Sequence, residues 1–452
     1  MKKIEKRAAL CLVLAGFLAA GLVWFLVRFA ADGSRWASSP FNRHLYNSEG
    51  ALISGTVLDR NGDMLSTVRD GKRVYTDGKT RRKATLHVVG DPYGNISTGA
   101  LSAFAQELTG YTLLGGAYGA EKGSDLYLTI DAGLNETAYE ALNGKKGTVA
   151  VYNYKTGEIL CLVSAPSYDP RSIPKDLETN EKYEGAYLNR FLSSTFPPGS
   201  VFKTVTLAAA LERLPGLEER TWTCEGSVQI GGGTVTCTSA HGEQTISEAL
   251  ANSCNVVFGQ LAAELGGDTL NRYVEKAGLT GSYSVSGIPT AKGSFDLKGV
   301  ADSDLAWAGV GQYHDSVNPC SLMVYMGAIA NGGKAAVPCL IQKVARPGLP
   351  DLPQFTRSTG RLLNRETADK IADMMVNNVS AAYGTKRFPD MDLGAKSGTA
   401  QVGADQKAHA WFAGFLRDEE HPYAFVVLVE NGGSGAEVAG TVASKVLKAA
   451  VQ

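Results

Sequence analysis

The first hydrophobic feature of the chain is an unbroken apolar run, AALCLVLAGFLAAGLVWFLV, from Ala8 to Val27. About 20 such residues are what a bilayer span needs, and a soluble helix would not be apolar on every face. A transmembrane helix over residues 8–30 is therefore predicted. Lys2, Lys3, Lys6 and Arg7 precede it against one acid, Glu5. That bias holds residues 1–7 in the cytoplasm as a short tail and puts everything from about Phe29 onward outside. A cleaved signal peptide has an apolar core of about 7–15 residues and a small-residue cleavage site close behind it. This run is longer and lacks the site, so an uncleaved single-pass anchor is expected.

Beyond a polar linker at 31–50, alternation takes over. GTVLDRNGDMLS (Gly55–Ser66) reads as a hairpin with a type I′ turn at Asn61-Gly62. A second hairpin spans Thr148–Ser164 and turns near Thr156-Gly157. Between them Leu128–Gly144 starts as a strand and becomes a helix, with Asp131 as N-cap and Leu134, Ala138 and Leu142 as its apolar stripe. A domain boundary at 125–145 gives a small β-rich N-terminal pedestal, residues 31–135, and a second domain, residues 136–452. Near the C-terminus LGAKSGTAQVG, KAHAWFAGFLRD and HPYAFVVLVEN read as three strands of an antiparallel meander, and EVAGTVASKVLKAAVQ as a closing helix. Strands at both ends with helices between them imply an α+β fold, an antiparallel sheet sandwiched by helices.

Composition changes little in this picture. The chain has 452 residues, 44% hydrophobic and 20% charged, with a formal net charge of −1. That balance is globular rather than disordered and gives no reason to expect a nucleic-acid partner. Seven cysteines are present. Cys224 and Cys237 flank the Gly-rich hairpin-like stretch EGSVQIGGGTVT and could be bridged across it, since the outer location permits disulfides. With His241 they also imitate part of a zinc-ligand set, but no fourth ligand is evident in the pattern, and neither metal nor cofactor is expected.

Three short motifs carry chemistry. Pro197-Pro-Gly-Ser200-Val-Phe-Lys203 leads into the helical TVTLAAALERL, so Ser200 falls where the helix starts. There the backbone N–H groups and the helix dipole favour an anion. Lys203, three residues on, can reach the serine hydroxyl from the same face. A serine needs an adjacent base, and a lysine serves when burial or another cation lowers its pKa. Ser253 and Asn255, in Ala251-Asn-Ser-Cys-Asn255, offer a hydroxyl that can relay a proton and an amide that can hold a substrate. Lys396-Ser397-Gly398-Thr399 sits on a strand whose glycine permits close backbone approach and whose edge could pair with an extended peptide. Each motif has a decoy: Ser172-Ile-Pro-Lys175, where Pro174 breaks the helix, then Ser316-Val-Asn318 and Lys155-Thr-Gly157. A lone match is therefore a solvated face or a turn. His409, Trp411 and Phe412 read as sheet packing, Gln312 as a structural loop amide, and Tyr313 and His314 as unassigned.

Taken in order, Ser-x-x-Lys, Ser-x-Asn and Lys-Ser/Thr-Gly resemble the signature of penicillin-binding transpeptidases. GTVLDRNGDMLS, LTIDAGLNETAYEAL, LNRFLSSTFPPGSVFKTVT, GVGQYHDSVNPCSLMVYMGAIANGG, Gly384-Thr385 and KSGTAQVG…HAWFAGF extend the resemblance to class B members, the compact cell-division type in particular. Ser54-Gly55 stands where the family often has Arg-Gly, and the N-terminal segment is too short for a glycosyltransferase domain. The resemblance implies a peptidoglycan D,D-transpeptidase. Ser200 would form an acyl-enzyme with stem peptides and with β-lactams. Lys203 would take the serine proton, and Ser253 would pass one to the leaving amine. Asn255 would orient the acyl side chain. The N–H groups of Ser200 and Thr399 would form the oxyanion hole, and Lys396, Ser397 and Thr399 would meet the substrate carboxylate. It also implies a membrane-embedded glycan polymerase as partner. A D,D-carboxypeptidase, a β-lactam hydrolase and a non-catalytic scaffold of the cell-wall machinery are the alternatives.

Overall fold

A run of apolar residues with no polar side forms one long helix, α1 (Lys2–Ala37), in the computed structural model, which describes residues 2–39, 42, 45–48, 50–111, 116, 123–346, 355–403 and 406–452. Its apolar part, Lys3–Gly33, is long enough to cross a membrane, and the most apolar 18-residue stretch of it buries nothing against the rest of the chain. The helix continues past the apolar run, where Arg28 pairs with Asp32 at 2.7 Å. The polar linker expected from residue 31 is thus helical at its start. Positions 40, 41, 43, 44 and 49 of that linker lie outside the described residues.

The first hairpin joins β1 (Thr56–Leu58) to β2 (Met64–Arg69), but its turn is not type I′. Asp59 N–H donates to Asp63 O at 3.0 Å, and of Asn61 and Gly62 only Gly62 has positive φ, 87°. This is a three-residue loop closed by a left-handed glycine. The Asp59 carboxylate accepts the N–H groups of Asn61 and Asp63, both at 2.9 Å, and so holds Asn61 right-handed. β3 (Lys72–Tyr75) extends the sheet beyond β2. Helix α2 (Lys79–Val89) follows, and β4 (Asp125–Leu128) runs parallel to β1. The fifth strand, Ile341–Ala345, comes from far down the chain and pairs with β4. The Asp131 side chain accepts Leu134 N–H and caps α3 (Ala132–Leu142), as the pattern predicts.

The second sheet contains β5 (Gly147–Asn153) and β6 (Ile159–Ala165), joined with the C-terminal meander β7 (Leu393–Ala400), β8 (His409–Leu416) and β9 (Tyr423–Val429). The order is β7-β8-β9-β5-β6, antiparallel throughout, which leaves β7 as an edge. Between its two halves the chain forms α4 (Lys203–Arg213), α5 (Ile246–Ala251), α6 (Asn255–Leu265), α7 (Pro319–Ala330) and α8 (Arg365–Asn378). Helix α9 (Gly440–Ala450) ends it. Side chains alternate across the sheet. Val149, Val151, Phe412, Phe425 and Val427 share a core with α3 and α9. Ala150, Tyr152, Trp411, Val426 and Leu428 join the core that holds α4, α6 and α7. Helices therefore cover both faces, which explains why β9 is a continuous apolar run.

One ion pair ties the two sheets' surroundings together. Arg82 of α2 donates from Nε and Nη2 to the two carboxylate oxygens of Asp169, each at 2.7 Å, with both side chains under a tenth exposed. Truncating one partner leaves the other charge buried alone. Asp169→Ala is therefore expected to cost about 3 kcal/mol, read as a loss in denaturant unfolding of the detergent-solubilised chain.

Candidate active site

Ser200 lies in a 3₁₀ turn, Gly199–Phe202, that opens α4. The turn is held from three sides. Trp411 Nε1–H of β8 donates to Pro197 O at 2.9 Å, and Gly199 N–H donates to Gly311 O at 2.9 Å. On the third side β7 presses so close that a Cβ on Gly398 would stand 3.0 Å from Pro198 O. One on Gly199 would stand 2.8 Å from Thr399 O. The glycine of the Lys396–Thr399 segment thus serves close approach to the Ser200 turn.

One helical turn along, Lys203 is fully buried. Its Nζ lies 2.9 Å from Ser200 Oγ, 2.7 Å from Ser253 O, 2.7 Å from Asn255 Oδ1 and 3.1 Å from Ser253 Oγ. The two shortest contacts are carbonyl oxygens, which can only accept. A neutral amine commits its two protons there and keeps its lone pair for the Ser200 hydroxyl. Burial favours that neutral form and pulls the Lys203 pKa down to about 7, against a smaller opposing effect of nearby thiols.

Ser253 sits between α5 and α6 with φ of 53°, left-handed for a residue with a side chain. That conformation costs about 1 kcal/mol, and it presents Oγ to two amines at once. Lys396 Nζ donates to Ser253 Oγ at 2.9 Å and to Ser397 O at 3.0 Å. Lys396 is likewise fully buried, and burial, then the nearby Lys203 charge, hold its pKa well below the ordinary lysine value. The resemblance places Lys396 beside the substrate carboxylate; here its amine is buried and bonded to Ser253 Oγ. Ser397 is half-buried, Gly398 buried and Thr399 exposed. Asn255 Nδ2 donates to Thr236 O at 2.9 Å, which fixes the amide.

Ser200, Lys203, Ser253 and Lys396, which the three motifs single out, therefore form one hydrogen-bonded chain. The decoys do not join it. Ser172 is exposed in a turn with Asp169. Asn318 caps α7 and donates to the carbonyls of Phe191, Leu192 and Ser194. Lys155 and Thr156 are fastened to Asn153 Oδ1 in the β5–β6 turn. His409 and Phe412 pack in the sheet against Phe196 and Phe388 respectively. Gln312 bridges Thr399 O and Gln401 N–H, a structural amide as expected. Tyr383, which ends the helical segment after α8, was missed. Its hydroxyl accepts Ser397 N–H at 2.9 Å and lies 3.1 Å from Ser397 Oγ. Its place next to Gly384-Thr385 was the one signal available.

The penicillin binding protein transpeptidase domain matches residues 147–448. This chain belongs to that family. Among relatives, peptidoglycan D,D-transpeptidase PbpA of Mycobacterium tuberculosis is 27% identical over 94% of each chain. Stage V sporulation protein D of Bacillus subtilis is 28% identical over 72% of this chain and 52% of its own. Among solved structures, the ceftriaxone acyl-enzyme complex of M. tuberculosis penicillin-binding protein A superposes with a TM-score of 0.77, at 25% identity, over 88% of this chain and 98% of that one. Its penicillin G acyl-enzyme complex gives 0.76 at 25% identity over 88% and 100%.

The cysteines need a correction. Cys224 and Cys237 do flank a two-stranded ribbon, but all seven cysteines are free thiols. Cys237 Sγ lies 3.9 Å from Cys254 Sγ, so its sulfur neighbour is the middle residue of the Ser-x-Asn motif. That residue is also the fourth metal-type ligand the sequence pattern did not reveal: ligand atoms of Cys224, Cys237, His241 and Cys254 all lie within 4.8 Å of one another.

A lysine can act as a base only in its neutral form. The rate constant for acylation by benzylpenicillin is therefore expected to be low in acid, to rise with pH through about 7 and then to level off, in a stopped-flow or gel-labelling series. Lys203→Arg, whose guanidinium stays charged, should lose about three decades of that rate at every pH. Tyr383→Phe strips a buried partner from Ser397 N–H and is expected to slow acylation roughly tenfold in the same assay.

Proposed function

We propose that this chain is a peptidoglycan D,D-transpeptidase whose Ser200 carries the acyl group. The observation that supports this most is the continuous chain Ser200 Oγ–Lys203 Nζ–Ser253 Oγ–Lys396 Nζ beside the edge strand β7. As Ser200 Oγ attacks the carbonyl between two D-alanines, its proton passes to the Lys203 lone pair. The oxyanion is met by the N–H groups of Ser200 and Thr399. Lys203 then returns a proton through Ser253 Oγ to the departing amine, and the terminal D-alanine leaves. Asn255 orients the acyl side chain, and Ser397 and Thr399, with Lys396 beside them, hold the substrate carboxylate. The amine of a neighbouring stem attacks the ester and regenerates Ser200. A β-lactam takes the first half of the same path and remains as the acyl-enzyme.

The pedestal, residues 31–135, spaces residues 136–452 from a membrane crossed once by residues 8–30, with the N-terminus cytoplasmic and the active site outside. A membrane-embedded glycan polymerase beside the anchor is the partner this arrangement suits.

Intact mass and peptide mapping after benzylpenicillin treatment should place one adduct on Ser200, absent from Ser200→Ala. With a disaccharide-pentapeptide substrate and an added amine acceptor, cross-linked product is expected to exceed hydrolysed product. Hydrolysis alone would assign a carboxypeptidase, and turnover of the antibiotic a β-lactam hydrolase.

A further inference from the structure

Four side chains that the acylation chemistry does not use converge behind the Ser253 turn. Cys224 ends the strand Thr221–Cys224, and Cys237 follows the strand Gly233–Thr236. His241 precedes the strand Gly242–Thr245, and Cys254 separates Ser253 from Asn255. Their sulfurs and one imidazole nitrogen lie within 4.8 Å of one another. Two of the separations match a specific geometry: Cys237 Sγ is 3.9 Å from Cys254 Sγ and 3.5 Å from His241 Nδ1. A tetrahedral zinc ion with Zn–S of about 2.3 Å and Zn–N of about 2.0–2.1 Å demands S···S edges of roughly 3.8 Å and S···N edges of roughly 3.6 Å.

Further contacts orient the ligands as a metal site requires. His241 Nε2 is 3.2 Å from Ser239 Oγ, which leaves Nδ1 to face the sulfurs. Asn255 N–H donates to Cys237 Sγ at 3.2 Å, a contact that favours thiolate. The surrounding segment rests on its neighbours through few side chains, Ile230 and Val235 against Gly259 among them, and has little core of its own. Of residues 221–245 only Cys224, Val235 and Gln244 are buried. Two-stranded ribbons with so little core are marginal on their own and are held by a staple. Three thiols and an imidazole, with no carboxylate among them, form a soft, closed set that suits zinc in a structural role.

We propose that Cys224, Cys237, His241 and Cys254 bind one structural zinc ion, which fastens the 221–245 ribbons to the Ser253–Asn255 turn. Both neighbours of Cys254 touch Lys203. The ion therefore acts as a positioning element for the acylation machinery, and on the outer side of the membrane it also keeps three thiols from oxidation.

The test uses the full chain, purified in detergent without chelators or a metal-affinity step. Elemental analysis is expected to find about one zinc per chain, falling below about a tenth in Cys224→Ser and in His241→Ala, with Cys339→Ser, outside the cluster, unchanged. Because a ligand variant can fail to fold, wild-type protein stripped with a chelator is titrated with cobalt(II). The thiolate charge-transfer and visible bands of tetrahedral cobalt should saturate at one equivalent and vanish on adding zinc. Stripping should slow fluorescent-penicillin labelling at least about tenfold, with recovery on zinc addition. The site is overturned by metal-poor wild type that gives no cobalt–thiolate spectrum, by a Cys237–Cys254 disulfide in protein taken from membranes, or by loss of metal in Cys339→Ser. Labelling that ignores zinc removal overturns the positioning role alone.

Discussion

Two lysine amines, both fully buried, share one serine hydroxyl, and among the described residues none of their hydrogen-bond partners is a carboxylate. That constraint explains much of the architecture around it. An ammonium in a dry site is costly, so the amines are held toward neutrality, and a neutral amine is a base. To keep Lys203 dry, the turn that carries Ser200 must lie flush against β7, which is why glycine stands at both 199 and 398. To keep the turn from drifting, a tryptophan on the next strand grips Pro197. The sheet, the buried helix α7 and the Asn318 cap that ties three carbonyls upstream of Ser200 all support this one arrangement.

Local patterns were the legible part of the fold. Alternation located the two hairpins and the meander, and a capping aspartate located α3. The apolar run located α1 but not its extension to Ala37, since helix continuation past an apolar segment depends on ion pairs such as Arg28–Asp32 rather than on hydropathy. The type I′ expectation at Asn61-Gly62 failed because the Asp59 carboxylate rewards a right-handed Asn61, an interaction the dipeptide alone does not express. The strand Ile341–Ala345 could not be assigned to the first sheet in advance: pairing across some two hundred residues leaves no periodic trace.

The active centre was legible for a different reason. Each motif is short enough to recur by chance, and each did. Context separated the copies that meet in one place from the decoys: Pro174 prevents the helix that would bring Lys175 back to Ser172, and Asn318 is consumed by backbone carbonyls. What the motifs could not reveal were groups that act on them from other elements. Tyr383 reaches Ser397 from a helix end, and Cys254 is hidden inside the Ser-x-Asn motif as its unspecified middle residue. Its buried sulfur faces away from the chemistry, toward partners that lie on ribbons thirteen to thirty residues earlier.

The left-handed backbone of Ser253 connects these two sides of the site. A residue with a side chain stays in that region only when its neighbours over-determine it. On the N-terminal side helix α5 supplies part of the restraint, through Ser253 N–H to Leu250 O and Cys254 N–H to Ala249 O. On the C-terminal side Cys254 and Asn255 are bound to the ribbon segment through the Cys237 sulfur and Thr236 O. That segment has almost no core of its own to resist being pulled. A restraint is only as stiff as what it is anchored to, so the precision with which Ser253 faces two amines depends on whatever stiffens residues 221–245. Three sulfurs and an imidazole nitrogen within 4.8 Å of one another give that segment a means of doing so.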